Sequence, residues 1–267
     1  MTSAQHLRGT LAGHSWRMLI VWTMVAAGVA LGQATAARAA SFSVNPTQVF
    51  LSASTRSALV TLKNETDQSV RFELSVMSWS QEPDGQMQLA PTEDIVFFPA
   101  LLTLNAREER KVRVGVTVPP GAVEKTYRLF VEELPPLEQR EAPAGVAMRT
   151  KMGIPIFLQP ARLTAQAALR DLAVTGGRLS FRLLNTGTVH FTPDAVRVRG
   201  FDASGAALFD QTATAWYVLA GGVRAFDFDV PGARCAQIRS FTVEAQLPGS
   251  TLKDTLQTPD GACGKQP

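Results

Sequence analysis

Histidine and cysteine are scarce in this sequence, which restricts the chemistry that the chain can perform. Three histidines occur in 267 residues, and two of them, His6 and His14, lie near the N-terminus. A zinc site needs clustered cysteine and histidine ligands, and a histidine-based catalytic triad would depend on His190 alone. The phosphate-binding G-x-x-x-x-G-K-[ST] and nucleophile-elbow G-x-S-x-G motifs are also absent. We therefore expect no enzyme, no metal and no cofactor.

Paired carboxylates do not reverse this expectation. Glu132 and Glu133 are adjacent, so on a strand they point to opposite faces and cannot flank one bond. Asp227 and Asp229 share a face but alternate with Phe228, as solvated residues on a half-buried strand do. A hydrolase site assembled from distant residues stays an alternative.

The N-terminus has the features of an export signal. Arg8 and Arg17 precede an uncharged apolar run at residues 18–31, which is too short to span a bilayer comfortably. Residues 37–39 read A-R-A, the form that signal peptidase cleaves, so residues 1–39 are predicted to be a signal peptide. A retained membrane anchor is the alternative.

Net charge is lacking once this signal is removed. The signal holds three of the 26 basic residues and none of the 23 acidic ones, which leaves 23 of each in the mature chain. Nucleic-acid binding needs a concentrated basic face, so no nucleic-acid partner is expected.

The two cysteines, Cys235 and Cys263, both lie in the last part of the chain. Export places them in an oxidising compartment, where such a pair is expected to form one disulfide. The spacing is not C-x-x-C, so redox chemistry is disfavoured. Two free thiols are the alternative.

The mature sequence reads as β-strands. Apolar residues alternate with polar ones at residues 70–76, 112–118, 179–183 and 243–247, and loop signals rich in glycine, proline and aspartate separate these runs. This pattern predicts an all-β protein of immunoglobulin-like β-sandwiches. We place one domain at residues 40–160 and a second at residues 161–267.

Six segments then resemble a known family. Residues 42–51 (FSVNPTQVFL) and 110–116 (RKVRVGV) look like strands of PapD-like periplasmic pilus chaperones. Residues 127–136 (YRLFVEELPP) resemble the family's strand that ends in an acidic residue, an aliphatic residue and proline. Residues 149–160 (RTKMGIPIFLQP) resemble the last strand of its first domain. Residues 185–190 (NTGTVH) and 216–222 (WYVLAGG) look like the archaic branch of the family.

The resemblance implies two immunoglobulin-like domains in an L-shaped arrangement, located in the periplasm. It implies that the last strand of the first domain is lent to a pilin subunit whose own fold lacks a strand, by donor-strand complementation. An outer-membrane usher would then take the subunit into the growing pilus. No small-molecule substrate is implied, and a self-capped homodimer through the same strand is a further expectation.

The donor strand is expected within residues 145–157. One face carries the residues expected to enter the pilin groove, which are Val146, Met148, Thr150 and Met152. The opposite face carries Arg149 and Lys151, whose charges keep an exposed edge soluble. An ordinary core strand is the alternative from alternation alone.

The carboxylate anchor departs from the family. Better-known members hold the pilin's C-terminal carboxylate with an arginine and a lysine, and those positions are Gln48 and Pro155 here. Arg128, with Arg149 or Lys151, is the candidate replacement, because a guanidinium can bind a carboxylate in a bidentate manner. The alternative for Arg128 is a surface residue paired with Glu132.

Two further residues are expected to have structural rather than functional roles. His190 is expected in a turn between two strands, and Trp216 is expected in the core rather than on a sugar-binding face. The leading prediction is thus a chaperone for pilus assembly. A stand-alone periplasmic binding or adhesion module with the same fold is the first alternative, and a hydrolase is the second.

Overall fold

A computed structural model describes residues 42–135 and 149–263 of the chain. The predicted signal peptide at residues 1–39, together with Val146 and Met148 of the predicted donor face, lies outside these ranges. Among the described residues, no helix is both long and apolar enough to cross a membrane.

The described part of the chain is almost entirely β-structure, as the sequence predicts. The first ten strands are β1 (Phe42–Asn45), β2 (Val49–Leu51), β3 (Ser57–Asn64), β4 (Val70–Gln81), β5 (Met87–Pro91), β6 (Ile95–Phe98), β7 (Leu101–Leu104), β8 (Glu109–Val116), β9 (Lys125–Leu134) and β10 (Lys151–Leu158). The remaining elements are β11 (Ala167–Thr175), β12 (Arg178–Asn185), β13 (Ala195–Phe201), β14 (Ala207–Ala213), β15 (Val223–Asp229), the short helix α1 (Gly232–Cys235), β16 (Ser240–Leu247) and β17 (Ser250–Gln257).

These strands form two sandwiches. In the first, a sheet of order β1-β3-β8-β6 faces a sheet of order β2-β10-β9-β4-β5, in which β7 also pairs with β4. In the second, a sheet of order β11-β12-β15 faces one of order β14-β13-β16-β17. The predicted domain boundary at residue 160 lies between β10 and β11, and it stays a prediction.

The two-residue periodicity explains why these segments form half-buried strands. On β8, Val112, Val114 and Val116 are buried while Arg113 between them is exposed. Each such side chain contributes roughly 1.5–3 kcal/mol when it leaves water. The same inward rows from the other strands complete one hydrophobic core in each sandwich, called here the first core and the second core.

The predicted disulfide is confirmed. Cys235 on α1 bonds to Cys263, with 5.5 Å between their Cα atoms, and it ties the end of the chain to the second core. Asp227 is exposed on β15 and pairs with Arg178 (3.3 Å), whereas Phe226 and Phe228 are buried, as the alternation predicts.

Candidate functional site

Strand β10 is paired along its full length on only one of its two edges. It pairs antiparallel with β9 over residues 151–158. On its other edge it pairs parallel with β2, but only over residues 156–158. Within residues 42–135 and 149–263, no strand covers residues 151–155 on that second edge. Among the described residues, the first half of β10 therefore has no partner strand on this edge, which is called the open edge below.

The hydrogen bonds show which backbone groups face this open edge. The Glu133 N–H donates to the Thr150 carbonyl oxygen across the β9 side (3.0 Å), and the Gln159 N–H donates to Leu51 on the β2 side (2.8 Å). Backbone groups alternate in direction along a strand. The backbone N–H and carbonyl groups of Lys151 and Gly153, and the carbonyl of Pro155, therefore point away from β9. Proline at residue 155 thus costs no hydrogen bond to β9.

The side chains of β10 also divide between two faces. Ile154, Ile156 and Leu158 belong to the first core, and Met152 packs against it. Thr150, just before the strand, is partly buried. Of the predicted donor face, Thr150 and Met152 are therefore described, and Met152 continues the inward row of the strand.

The two positions that lack the family's cations lie in one row with Arg128. Pro155 is directly opposite Arg128 on β9, and Gln48 immediately precedes Val49, which is opposite Ile156. The row therefore crosses β2, β10 and β9 on the outer face of the sheet. The row does contain one cation, Arg128 on β9, which lies one strand away from Pro155, the position of the family's lysine.

Arg128 is buried, and it forms no ion pair with any acidic residue that the structure describes. Only 5 % of it is exposed, and its Nε and Nη2 atoms have no hydrogen-bond partner among the described residues. The guanidinium carbon lies 4.3 Å from the ring centroid of Trp79 and 4.4 Å from that of Trp216. Burial lowers the pKa of Arg128 from its ordinary value, and Tyr217 partly opposes this shift. The alternative of a surface residue paired with Glu132 is wrong.

The other two anchor candidates lie elsewhere. Lys151 Nζ is 2.8 Å from Glu132 Oε2 and lies 5.1 Å from the ring of Phe130. This hydrogen bond is the main reason why the pKa of Glu132 lies below its ordinary value. Arg149 is exposed and adds a weaker electrostatic effect on Glu132. Lys151 is thus already paired, and Arg128 is the buried cation of the region.

Gly153 makes the approach of Arg128 to β10 possible. A Cβ atom at this position would lie 3.2 Å from Arg128 Nη1 and 3.1 Å from Cε1 of Phe130, so a larger residue would crowd both side chains. Arg128 Nη1 therefore lies beside the backbone of the strand that carries the open edge.

A small aromatic cluster joins the two sandwiches next to this site. It consists of Trp79, Phe157, Tyr217 and Leu219, and we call it the junction cluster. Gln48 Nε2 donates a hydrogen bond to the Tyr217 hydroxyl. His190 lies between β12 and β13, as predicted, and its ring stacks on Phe157 at 3.8 Å.

Trp216 corrects a prediction. It was expected in the core, but it is 48 % exposed and covers one face of Arg128 instead. An alternating pattern cannot reveal this contact, because Trp216 lies between β14 and β15 rather than within a strand. The sequence signal that pointed to the site was Arg128 itself, a cation among apolar neighbours.

Comparisons with known proteins agree with this fold. Residues 41–164 match the family described as pili and flagellar-assembly chaperone, PapD N-terminal domain. No curated protein has a significantly similar sequence.

Three solved structures illustrate the similarity. One is a chain of the CsuC–CsuE chaperone–tip adhesion subunit pre-assembly complex from the archaic chaperone–usher Csu pili of Acinetobacter baumannii (18 % identity, 83 % of this chain, 100 % of that chain, TM-score 0.56). Another is the class 5 fimbriae chaperone CfaA (13 % identity, 82 % of this chain, 99 % of that chain, TM-score 0.54). The third is a chain of the complex between the Salmonella enterica SafA pilin and the SafB chaperone (15 % identity, 83 % of this chain, 99 % of that chain, TM-score 0.52).

The family match covers the first sandwich, and the structural matches cover most of the chain. The proteins in question are assembly chaperones rather than enzymes. Residues 41–164 therefore match the PapD N-terminal domain family, and the chain has the fold of the chaperone–usher chaperones.

Proposed function

We propose that this chain is a periplasmic chaperone that captures pilin subunits by donor-strand complementation and delivers them to an outer-membrane usher. The observation that carries the proposal is the open edge of β10 at residues 151–155. A pilin that lacks one strand has a complementary unpaired edge. The two edges can exchange backbone hydrogen bonds, and side chains of the donor strand can fill the pilin groove.

The donor face supplies the specificity in this proposal. Its members are Val146, Met148, Thr150 and Met152, of which the first two lie outside the described residues. Methionine side chains adapt to grooves of different shape, which suits a chaperone for several subunits. A second copy of the chain is the other occupant that an open edge accepts, which would give a self-capped homodimer in the absence of subunit.

Arg128 is the proposed anchor for the subunit's C-terminal carboxylate. Its position opposite Pro155 supports this role, because the row that lacks the family's cations still contains one. A buried guanidinium with unpaired N–H groups gains strongly from a carboxylate, since a buried charge is costly without a partner. The anchor would fix where the subunit's last strand begins its pairing with β10.

No cofactor or nucleotide is required for this function. Folding and capture of the subunit would supply the free energy, because a protein that binds only a folded partner shifts that partner's folding equilibrium. Periplasmic location follows from the predicted cleavage after Ala39. N-terminal sequencing of the secreted protein should therefore begin at Ala40.

An apolar patch on the other sheet of the first sandwich is the proposed contact for the usher. It is formed by exposed side chains next to the basic residue Arg113, and they are Leu59, Val96 and Phe98. Leu59, Arg113 and Phe98 lie opposite one another across β3, β8 and β6. An exposed apolar patch of this kind typically marks a protein contact. Because the patch is not on β10, a bound subunit would leave it free for the usher.

A pair of variants at Lys151 tests donor-strand capture. Lys151→Pro removes a backbone N–H that faces the open edge, whereas Lys151→Ala removes the side chain and keeps that N–H. The chain is co-expressed with the pilin encoded beside it and purified from the periplasm. We expect several-fold less pilin with Lys151→Pro and no comparable loss with Lys151→Ala.

Two other outcomes would change the interpretation. Equal pilin recovery with both variants would contradict capture through this edge. A wild-type chain that retains no pilin at all would favour the stand-alone binding module, which the replacement of the family's cations by Gln48 and Pro155 also supports.

A further inference from the structure

The two indole rings around Arg128 come from different sandwiches. Trp79 lies on β4 of the first sandwich, and Trp216 follows β14 of the second. The rings lie at 4.3 Å and 4.4 Å from the guanidinium carbon and 5.6 Å from each other, so they contact it from adjacent sides. Trp216 is held in turn by Tyr217 of the junction cluster, whose ring centroid is 5.0 Å away. The second sandwich therefore supplies the segment that brings Trp216 to Arg128.

Three buried donors at this place have no acceptor. They are Nε and Nη2 of Arg128 and Nε1 of Trp79, and none has a hydrogen-bond partner among the described residues. The indole faces offset part of the cost of burying the cation, since aromatic faces attract cations most strongly where water is excluded. They leave the N–H edges of the guanidinium unsatisfied. The arrangement thus holds a dehydrated cation in a fixed plane, with hydrogen-bonding capacity unused.

We propose that Trp216 is a positioning residue for the Arg128 anchor, so that recognition of the subunit's terminal carboxylate requires the second sandwich. This inference rests on the proposed role of Arg128. The two rings cover adjacent sides of the guanidinium, so a carboxylate has to approach from the remaining sides, where the unpaired N–H groups can form bidentate hydrogen bonds. A guanidinium that is already oriented and dehydrated loses less freedom on binding, which raises affinity for a planar anion.

The test measures selectivity for the carboxylate rather than total capture. Two forms of the neighbouring pilin are co-expressed with the chaperone, one with its natural C-terminus and one extended by Gly-Gly, which displaces the carboxylate. Mass spectrometry gives the ratio in which the two forms co-purify. We expect Trp216→Ala to lower the ratio of natural to extended pilin about tenfold, the size of one dehydrated cation–π contact. Trp216→Phe should restore most of it.

The matched control is Phe201→Ala. Phe201 stacks on Arg199 at 5.6 Å in the second sandwich, so its removal also breaks an arginine–aromatic contact but at another place. This variant should leave the ratio unchanged. Thermal unfolding of each variant shows whether the fold is intact, and rescue by phenylalanine separates positioning from loss of structure.

The variant Arg128→Gln distinguishes the anchoring role of Arg128 from the positioning role of Trp216. If Arg128→Gln removes the selectivity and Trp216→Ala does not, the positioning role of Trp216 is wrong while the anchor stands. If Arg128→Gln keeps the selectivity, the anchor itself is wrong. A Trp216→Ala variant that captures less of both pilin forms at an unchanged ratio would show a structural role only, and would overturn the inference.

Discussion

The Nδ1 atom of His190 lies 2.6 Å from Oε2 of Glu124, a carboxylate whose side chain is fully buried. The same oxygen accepts the backbone N–H of His190 at 3.0 Å, and the Glu124 N–H donates to Thr188 at 2.9 Å. A loop of the second sandwich is thereby tied to the residue that precedes β9. This is the strand that carries Arg128, so the connection supports the backbone of the anchor.

Removal of this carboxylate should destabilise the protein. Glu124→Ala removes the partner of two partly buried groups of His190, its backbone N–H and its Nδ1 atom, and we expect a loss of about 2–4 kcal/mol in the free energy of unfolding. Glu124→Gln keeps an acceptor oxygen and should cost less. Urea denaturation measures both, with Glu65→Ala as a control because the side chains of Glu65 and Lys63 are 35 % and 43 % exposed. Equal, small effects of all three variants would contradict a structural role for Glu124.

The strands and their inward faces were predictable from sequence because burial on one face leaves a two-residue period. Val112, Val114 and Val116 show this directly, since the valines are buried and Arg113 is not. The disulfide was predictable because the expected export implies oxidising conditions and the sequence has two cysteines, Cys235 and Cys263. Local pattern and composition were sufficient for these features.

The environment of Arg128 could not be predicted in the same way. Its two indole neighbours come from strand β4 and from a segment after β14, which are distant in sequence. Periodicity reports which side of a strand is covered, but not which residue covers it. For that reason Arg128 could be singled out as a candidate, whereas Trp216 was wrongly expected in a core.

Tyr127 should make stability depend on alkaline pH. Its hydroxyl donates to Asp94 Oδ2 at 2.6 Å, and burial, followed by the Asp94 carboxylate, raises the pKa of Tyr127 well above its usual range. The unfolded chain ionises a tyrosine at about pH 10. The folded state retains this proton longer, so the contribution is fully present below about pH 10 and is lost as pH rises towards the folded pKa.

Tyr127→Phe provides the comparison. The variant lacks the ionisable group, so its free energy of unfolding should fall less steeply above about pH 10 than that of the wild type. Urea denaturation at several alkaline pH values measures the two slopes. Parallel curves for the two proteins would contradict a proton retained on Tyr127.

The disulfide should stabilise the second sandwich. Cys235 and Cys263 are separated by 28 positions, and closing a loop of this size restricts the unfolded chain by roughly 3–4 kcal/mol. The double variant Cys235→Ala, Cys263→Ala should therefore unfold at lower urea concentration. Reductant should lower the midpoint of the wild type in the same direction and leave the double variant unchanged. A reductant effect of equal size on both proteins would exclude the disulfide as its cause.

Phe98 allows subunit capture and usher binding to be tested separately. It is 77 % exposed on β6, whereas the open edge is on β10 in the other sheet. Phe98→Ser should therefore leave pilin co-purification unchanged and weaken binding of the pilin-loaded chaperone to the usher several-fold, since an exposed aromatic is a typical contact centre. A pull-down with the usher's periplasmic portion measures this effect.

Leu89→Ser is the matched control for this prediction. Leu89 is another exposed apolar residue of the first sandwich, but it lies on β5, outside the patch around Phe98. A general loss of surface hydrophobicity would affect both variants alike, whereas a specific contact affects Phe98→Ser alone. If Leu89→Ser weakens usher binding and Phe98→Ser does not, the usher contacts the sheet that contains β10, and subunit and usher would then bind to the same sheet of the first sandwich.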